Sequence, residues 1–261
     1  MKLINNFFSG TLLLIALFPP LTLAAASVLV WPIYQKIDAD QQGSALWLEN
    51  QGSQAVDLQI RVLAWQQQDQ NDRFAEQQTV VASPPFAHVP AGQRQMVRLI
   101  RTGTVPAGKE EAFRVIIDEI PGVKPTAAPQ RVGINVQMRY LLPLFLNGEG
   151  LHSTSDSGMN INAPNSTQPL LTWALTQRAG QTWLTVHNQG AVHARLSNVF
   201  WGRSNQQNQA TFNVSNGYLG YVLPGQKMAF PLAGSRSVPS GQTLYAQLQD
   251  NTPPVAIKNA L

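Results

Sequence analysis

The 261-residue chain contains no cysteine, and only 12% of its residues carry charge. No disulfide can hold the fold, which must stand on buried apolar surface; 44% of residues are hydrophobic, too many for a disordered chain. Histidine is scarce too, with only His88, His152, His187 and His193. With no cysteine beside them and no acidic cluster at ligand spacing, they form no metal-site pattern and read as structural or surface residues. No nucleophile elbow, phosphate loop or catalytic carboxylate pair stands out, so nothing argues for an enzyme or for a cofactor. Glu110-Glu111 reads as solvated loop charge, and Asp118-Glu119 as a strand end with structural hydrogen bonding or ion pairing. Net charge is +4 despite a pI of 9.6, and the charges are scattered without a basic run or interleaved aromatics. That pattern argues against nucleic-acid binding. Amphipathic helical periodicity of convincing length is also missing beyond the N-terminus.

What is present begins with an export signal. Lys2 precedes a mostly apolar run, residues 7–23, followed by Ala24-Ala25-Ala26, the small-residue pattern a signal peptidase needs. The shortness of the run and the Pro19-Pro20 pair within it weigh against a membrane anchor and membrane insertion. Residues 1–26 are expected to be a signal peptide. About 235 residues remain, enough for two domains of ordinary size.

Those residues alternate in short runs separated by Gly, Pro and Asn. Val56, Leu58, Ile60, Val62 and Ala64 alternate with Asp57, Gln59 and Arg61, the period of a strand with one apolar face. Runs at 27–34, 45–48, 95–100, 113–121 and 132–140 follow the same logic, while Pro84-Pro85-Phe86 interrupts it. Roughly seven strands in just over a hundred residues indicate an immunoglobulin-like sandwich. A second all-β pattern runs through 170–175, 181–187, 194–201, 218–222, 228–232 and 243–248, ending in a Pro253-Pro254 tail. A stretch rich in Gly, Ser and Asn, 147–157, separates the two. The expected fold is all-β: two immunoglobulin-like sandwiches in series, 27–146 and 147–261, with no repeat strong enough to mark them as copies. Six tryptophans, Trp31, Trp47, Trp65, Trp173, Trp183 and Trp201, mostly fall in strand patterns, where packing explains them. They leave a secreted carbohydrate-binding module open as the alternative.

Two strands stand out, because each carries an arginine flanked by apolar residues. Phe113-Arg114-Val115 begins one, which ends in Glu119-Ile120-Pro121. In the other, Val132, Ile134, Val136, Met138 and Tyr140 alternate with Gly133, Asn135, Gln137 and Arg139. The order Ser83-Pro84-Pro85, Pro90-Ala91-Gly92-Gln93, Met96-Val97-Arg98, Phe113-Arg114-Val115, Glu119-Ile120-Pro121 and then 132–140 resembles the periplasmic chaperones of chaperone–usher pilus assembly. Val186-His187-Asn188-Gln189-Gly190 and Gly220-Tyr221-Val222-Leu223-Pro224-Gly225 resemble the second domain of their archaic, spore-coat-like branch.

The resemblance implies a periplasmic boomerang of two immunoglobulin-like domains, with pilus subunits and an outer-membrane usher as partners. It implies donor-strand complementation, with Val132, Ile134, Val136 and Met138 filling the groove of a subunit that lacks its last strand. Two basic residues in the cleft would hold the subunit's C-terminal carboxylate. This chain departs from better-known members there, with Tyr34 and Leu141 near the positions of their arginine and lysine. Arg114 and Arg139 are the available substitutes, Lys36 a third. If their strands form a hairpin closing around Pro125, Arg114 stands opposite the neighbourhood of Met138, and the two guanidiniums form one clamp. Otherwise one or both snorkel at the sheet edge. At the hinge, Leu142-Pro143-Leu144-Phe145-Leu146 replaces the family's arginine, so domain orientation is expected to rest on apolar packing.

Overall fold

A computed structural model describes residues 28–121, 137–151, 168–232 and 241–260. Among them the only helical element is a single 3-10 turn, Gln207–Gln209, and no helix is long and apolar enough to cross a membrane. The first half holds β1 (Val28–Trp31), β2 (Gln35–Ile37), β3 (Gly43–Asn50), β4 (Val56–Gln68), β5 (Asn71–Ala75), β6 (Val80–Ser83), β7 (Phe86–Val89), β8 (Arg94–Arg101), β9 (Glu110–Ile120) and β10 (Arg139–Asn147). One sheet runs β1-β3-β8-β6; the other runs β2-β10-β9-β4-β5, with β7 also on β4. Alternation decides which side of each strand is buried: Val56, Leu58, Ile60 and Val62 enter the core while Asp57 and Arg61 stay outside. The prolines that interrupt the pattern lie where the chain changes sheets. β1 pairs β3 and β2, beyond Pro32, pairs β10; β6 pairs β8 and β7, beyond Pro84-Pro85, pairs β4.

The second sandwich comprises β11 (Leu171–Arg178), β12 (Gln181–Asn188), β13 (Ala194–Gly202), β14 (Phe212–Val222), β15 (Lys227–Pro231), β16 (Thr243–Gln247) and β17 (Val255–Asn259). Their order is β14-β13-β16-β17-β11-β12-β15, around Trp173, Leu184, Val186, Val199, Trp201 and Leu244. The expected Pro253-Pro254 tail is a correction. The prolines only delay the chain, and β17 follows directly, antiparallel to β16 and parallel to β11, with Ile257 in the core. Proline lacks a donor, so it is tolerated just before a strand but not within an interior one.

Both sandwiches use one device that the sequence does not advertise as a repeat. Asn50 and Asn188 are fully buried at the ends of β3 and β12, each in an Asn-Gln-Gly triplet. Each side-chain amide donates to two backbone carbonyls, Gln54 and Val89 in one case, Val192 and Val222 in the other. Each side-chain oxygen accepts the N–H of the glycine two residues on. The asparagines satisfy turn groups that burial would otherwise leave bare.

Candidate functional site

The outer face of the β4-β9-β10 sheet runs from the seam between the sandwiches to a charged tip. Its register places Pro143 opposite Arg114, Leu141 opposite Ile116, and Arg139 opposite Asp118. At the seam end Trp65, Ala112 and Phe145 pack against Tyr221 and Leu223 of the second sandwich as one buried cluster. Arg114 comes next. At the tip, Asp118 accepts from Arg61 at 2.9 Å and from Arg139.

This register corrects the expected clamp. Arg114 does not stand opposite Met138, and the two arginines lie on pairs four residues apart along β10, about 13 Å at strand rise. Arg139 is an exposed surface cation already paired to Asp118. Lys36 is likewise paired, to Asp38 at 3.3 Å. Asp118 does form the expected structural ion pairs, and Glu119 accepts a hydrogen bond from the Met138 N–H at 3.3 Å. Burial alone raises the Asp118 carboxyl, but hydrogen bonds from Arg139 and Arg61 overcome this and hold it below its ordinary value.

Arg114 is different. Its exposure is 9%, so it does not snorkel. Its guanidinium carbon lies 3.6 Å from the Trp65 ring centroid and 5.5 Å from that of Tyr221. Aromatic faces stabilise a cation most when both are desolvated. Among the described residues no carboxylate stands within ion-pair distance of it, and its Nε is buried without a partner. Trp65 is pinned in turn, its indole N–H donating to Asp72 Oδ1 at 2.9 Å.

The seam is more polar than the expected apolar packing. Phe145 does enter it, but it stacks at 3.5 Å on the ring of His193. His193 Nδ1 lies 2.9 Å from both carboxylate oxygens of Glu110, and its backbone N–H donates to Glu110 Oε1 at 2.8 Å. His193 Nε2 meets the Tyr34 hydroxyl at 2.8 Å. Glu110 is therefore no solvated loop charge: it starts β9, with 2% of its side chain exposed. Gln67 adds a second bridge, donating from Nε2 to Tyr221 O at 2.9 Å and accepting the Leu223 N–H at 2.9 Å on Oε1. At the tip of the β4–β5 hairpin, Gln70 accepts from Arg178. Burial among these groups pushes the Tyr221 phenol up to about 12.

β10 has one edge on β9, while β2 covers its other edge only from Leu144 to Leu146. The Glu119 N–H donates to Met138 O at 3.1 Å, so ladder alternation turns the backbone groups of Arg139 and Leu141 away from β9. Among the described residues no strand pairs with them there. Leu141, 46% exposed, and Met138 are exposed apolar side chains on this stretch, and Ile33, 68% exposed, lies just before β2. Of the anticipated donor face only Met138 is described; Val132, Ile134 and Val136 lie outside the described residues.

A family profile described as "Pili and flagellar-assembly chaperone, PapD N-terminal domain" matches residues 34–152. A chain in the crystal structure of the CsuC–CsuE chaperone–tip adhesion subunit pre-assembly complex, from archaic chaperone–usher Csu pili of Acinetobacter baumannii, is 32% identical. That match covers 90% of this chain and 100% of the other, with a TM-score of 0.71. The chain belongs to the pilus-assembly chaperones. Two more distant structures share the chaperone's fold. The Salmonella enterica SafA pilin–SafB chaperone complex matches at 18% identity over 89% and 96% of the chains (TM-score 0.60). The E. coli chaperone DraB matches at 18% over 90% and 97% (TM-score 0.57). No curated protein sequence matches the chaperone.

Proposed function

We propose that this chaperone works in the periplasm, reached through a signal peptide at residues 1–26, with domains at 27–146 and 147–261. It captures a pilus subunit by donor-strand complementation, completes the subunit's sandwich and delivers it to an outer-membrane usher, without catalysis or cofactor. Val132, Ile134, Val136 and Met138 fill the subunit's groove, and Arg114 holds its C-terminal carboxylate. The observation that carries this reading is the buried guanidinium of Arg114, with no carboxylate partner among the described residues, on the strand next to β10 and its uncovered edge. Backbone pairing at that edge satisfies groups that a subunit missing a strand leaves bare, and an anion reaching Arg114 fixes the register. Arg139 remains a candidate for the same carboxylate only if its pairing to Asp118 is exchanged for it. The test is co-expression with pilin-like products of adjacent genes. A stoichiometric complex is expected, lost in Ile134→Asp or Val136→Asp and retained in Asn135→Asp or Gln137→Asp, because only the first two force a charge into an apolar groove. Equal loss from both faces, with all variants folded, overturns the donor assignment.

A further inference from the structure

The guanidinium of Arg114 is walled by the second sandwich as well as the first, which brings Tyr218 into the site. Tyr218 lies on β14 opposite Ser197, its ring 5.5 Å from that of Tyr221, the same ring that faces Arg114. From β13, Arg195 stands 5.8 Å from the Tyr218 ring centroid while its own charge is paired to Asp250 at 2.7 Å. The ring is thus held between Tyr221 and Arg195, yet Tyr218 is 54% exposed. Burial raises the Tyr218 phenol, and the adjacent Arg114 guanidinium, by charge and hydrogen bonding, holds it back. A guanidinium only donates, so toward it the phenol oxygen can act only as an acceptor, which leaves the O–H proton to donate elsewhere.

We propose that Tyr218 is a second ligand for the anion that Arg114 binds, its O–H donating to one carboxylate oxygen while the guanidinium donates to the other. The assignment rests on the reading of Arg114 as the carboxylate anchor. It makes the anchor a joint product of both sandwiches, so the second sandwich takes part in subunit capture directly. A carboxylate suits the pair: it offers two acceptor oxygens in a plane and no proton to clash with two donors.

The experiment compares capture of the co-purifying pilin-like subunit in two forms, with a free C-terminal carboxylate and as a semisynthetic C-terminal amide. The full chaperone is used as wild type, Tyr218→Phe and Arg114→Ala. Loss of a hydrogen bond to a charged group corresponds to about tenfold or more in affinity. Tyr218→Phe is expected to weaken capture of the acid form by about that factor and to leave capture of the amide unchanged. No loss with the acid form, or equal losses with both forms, overturns the assignment; where Arg114→Ala weakens capture of the acid form far more than of the amide, only the role of Tyr218 falls. If Arg114→Ala weakens the acid and the amide by the same factor, so that the preference for the acid survives without Arg114, the carboxylate reading of Arg114 fails and the Tyr218 assignment goes with it. Retention of the phenyl ring keeps the packing against Tyr221 and Arg195, so a folding defect does not mimic the result.

Discussion

Replacing Gln67 by methionine isolates the polar half of the seam, because the volume is kept and only the amide is lost. Gln67 is almost wholly buried, and its side chain acts as a peptide group paired to a strand of the other sandwich. The variant leaves Tyr221 C=O and Leu223 N–H facing an apolar side chain. Both residues are themselves buried. An orphaned buried polar group costs about 1–3 kcal/mol, so the closed seam loses about 2–6 kcal/mol, towards the lower end if water enters. Two domains need not unfold as one unit, so a single unfolding midpoint is a poor readout. The informative assay is the distribution of distances between spin labels placed one on each sandwich, measured by pulsed electron resonance. A narrow distribution in the wild type and a broad one in Gln67→Met is expected. Capture of a subunit should weaken in parallel, since Arg114 is walled by Trp65 on one side of the seam and Tyr221 on the other. An unchanged distribution with unchanged stability refutes the view that hydrogen bonds, rather than apolar contact alone, set the domain angle.

The two arginines should separate cleanly. Arg114→Ala is expected to reduce subunit capture at least about tenfold, whereas Arg139→Ala costs no more than the ~1 kcal/mol typical of an exposed pair; comparable losses in titrations of the two variants contradict the assignment. The tip should respond to acid. Asp118 is held below its ordinary carboxyl value of 3.8, so its contribution is complete above that value and is lost as pH falls through the lower folded value. Asp118→Asn should therefore flatten the acid limb of a stability–pH curve below about pH 4, and an unchanged limb rules the network out as its source.

The double sandwich was legible because alternation and turn residues are local signals. Val56 to Ala64 declares its faces within nine residues, and Phe113-Arg114-Val115 announces a charge that needs a reason in a buried strand. What local pattern cannot carry is the partner of a side chain far along the chain. Gln67 meets Tyr221 across 154 residues and Glu110 meets His193 across 83. Nothing near Glu110-Glu111 distinguishes one buried glutamate from a solvated pair. The register of β9 against β10 is likewise not written locally, since a hairpin read from its turn alone leaves the pairing free to slide. A slip moves Arg114 from the tip to the seam. β17 is hidden for the opposite reason, a strong local signal, Pro253-Pro254, standing next to a short strand.

The backbone amides of Arg139 and Leu141 offer the most direct test of subunit capture at the β10 edge. Ladder alternation turns both away from β9, and among the described residues neither is covered by β2. Hydrogen exchange resolved at single amides by nuclear magnetic resonance, in the free chaperone and in its complex with a pilin-like subunit, reads that edge alone. Fast exchange in the free protein and strong protection of Leu141 in the complex is the expected result, with neighbouring amides already bonded to β9 little changed. A stable complex in which Leu141 and Arg139 exchange as fast as in the free chaperone contradicts strand addition at this edge.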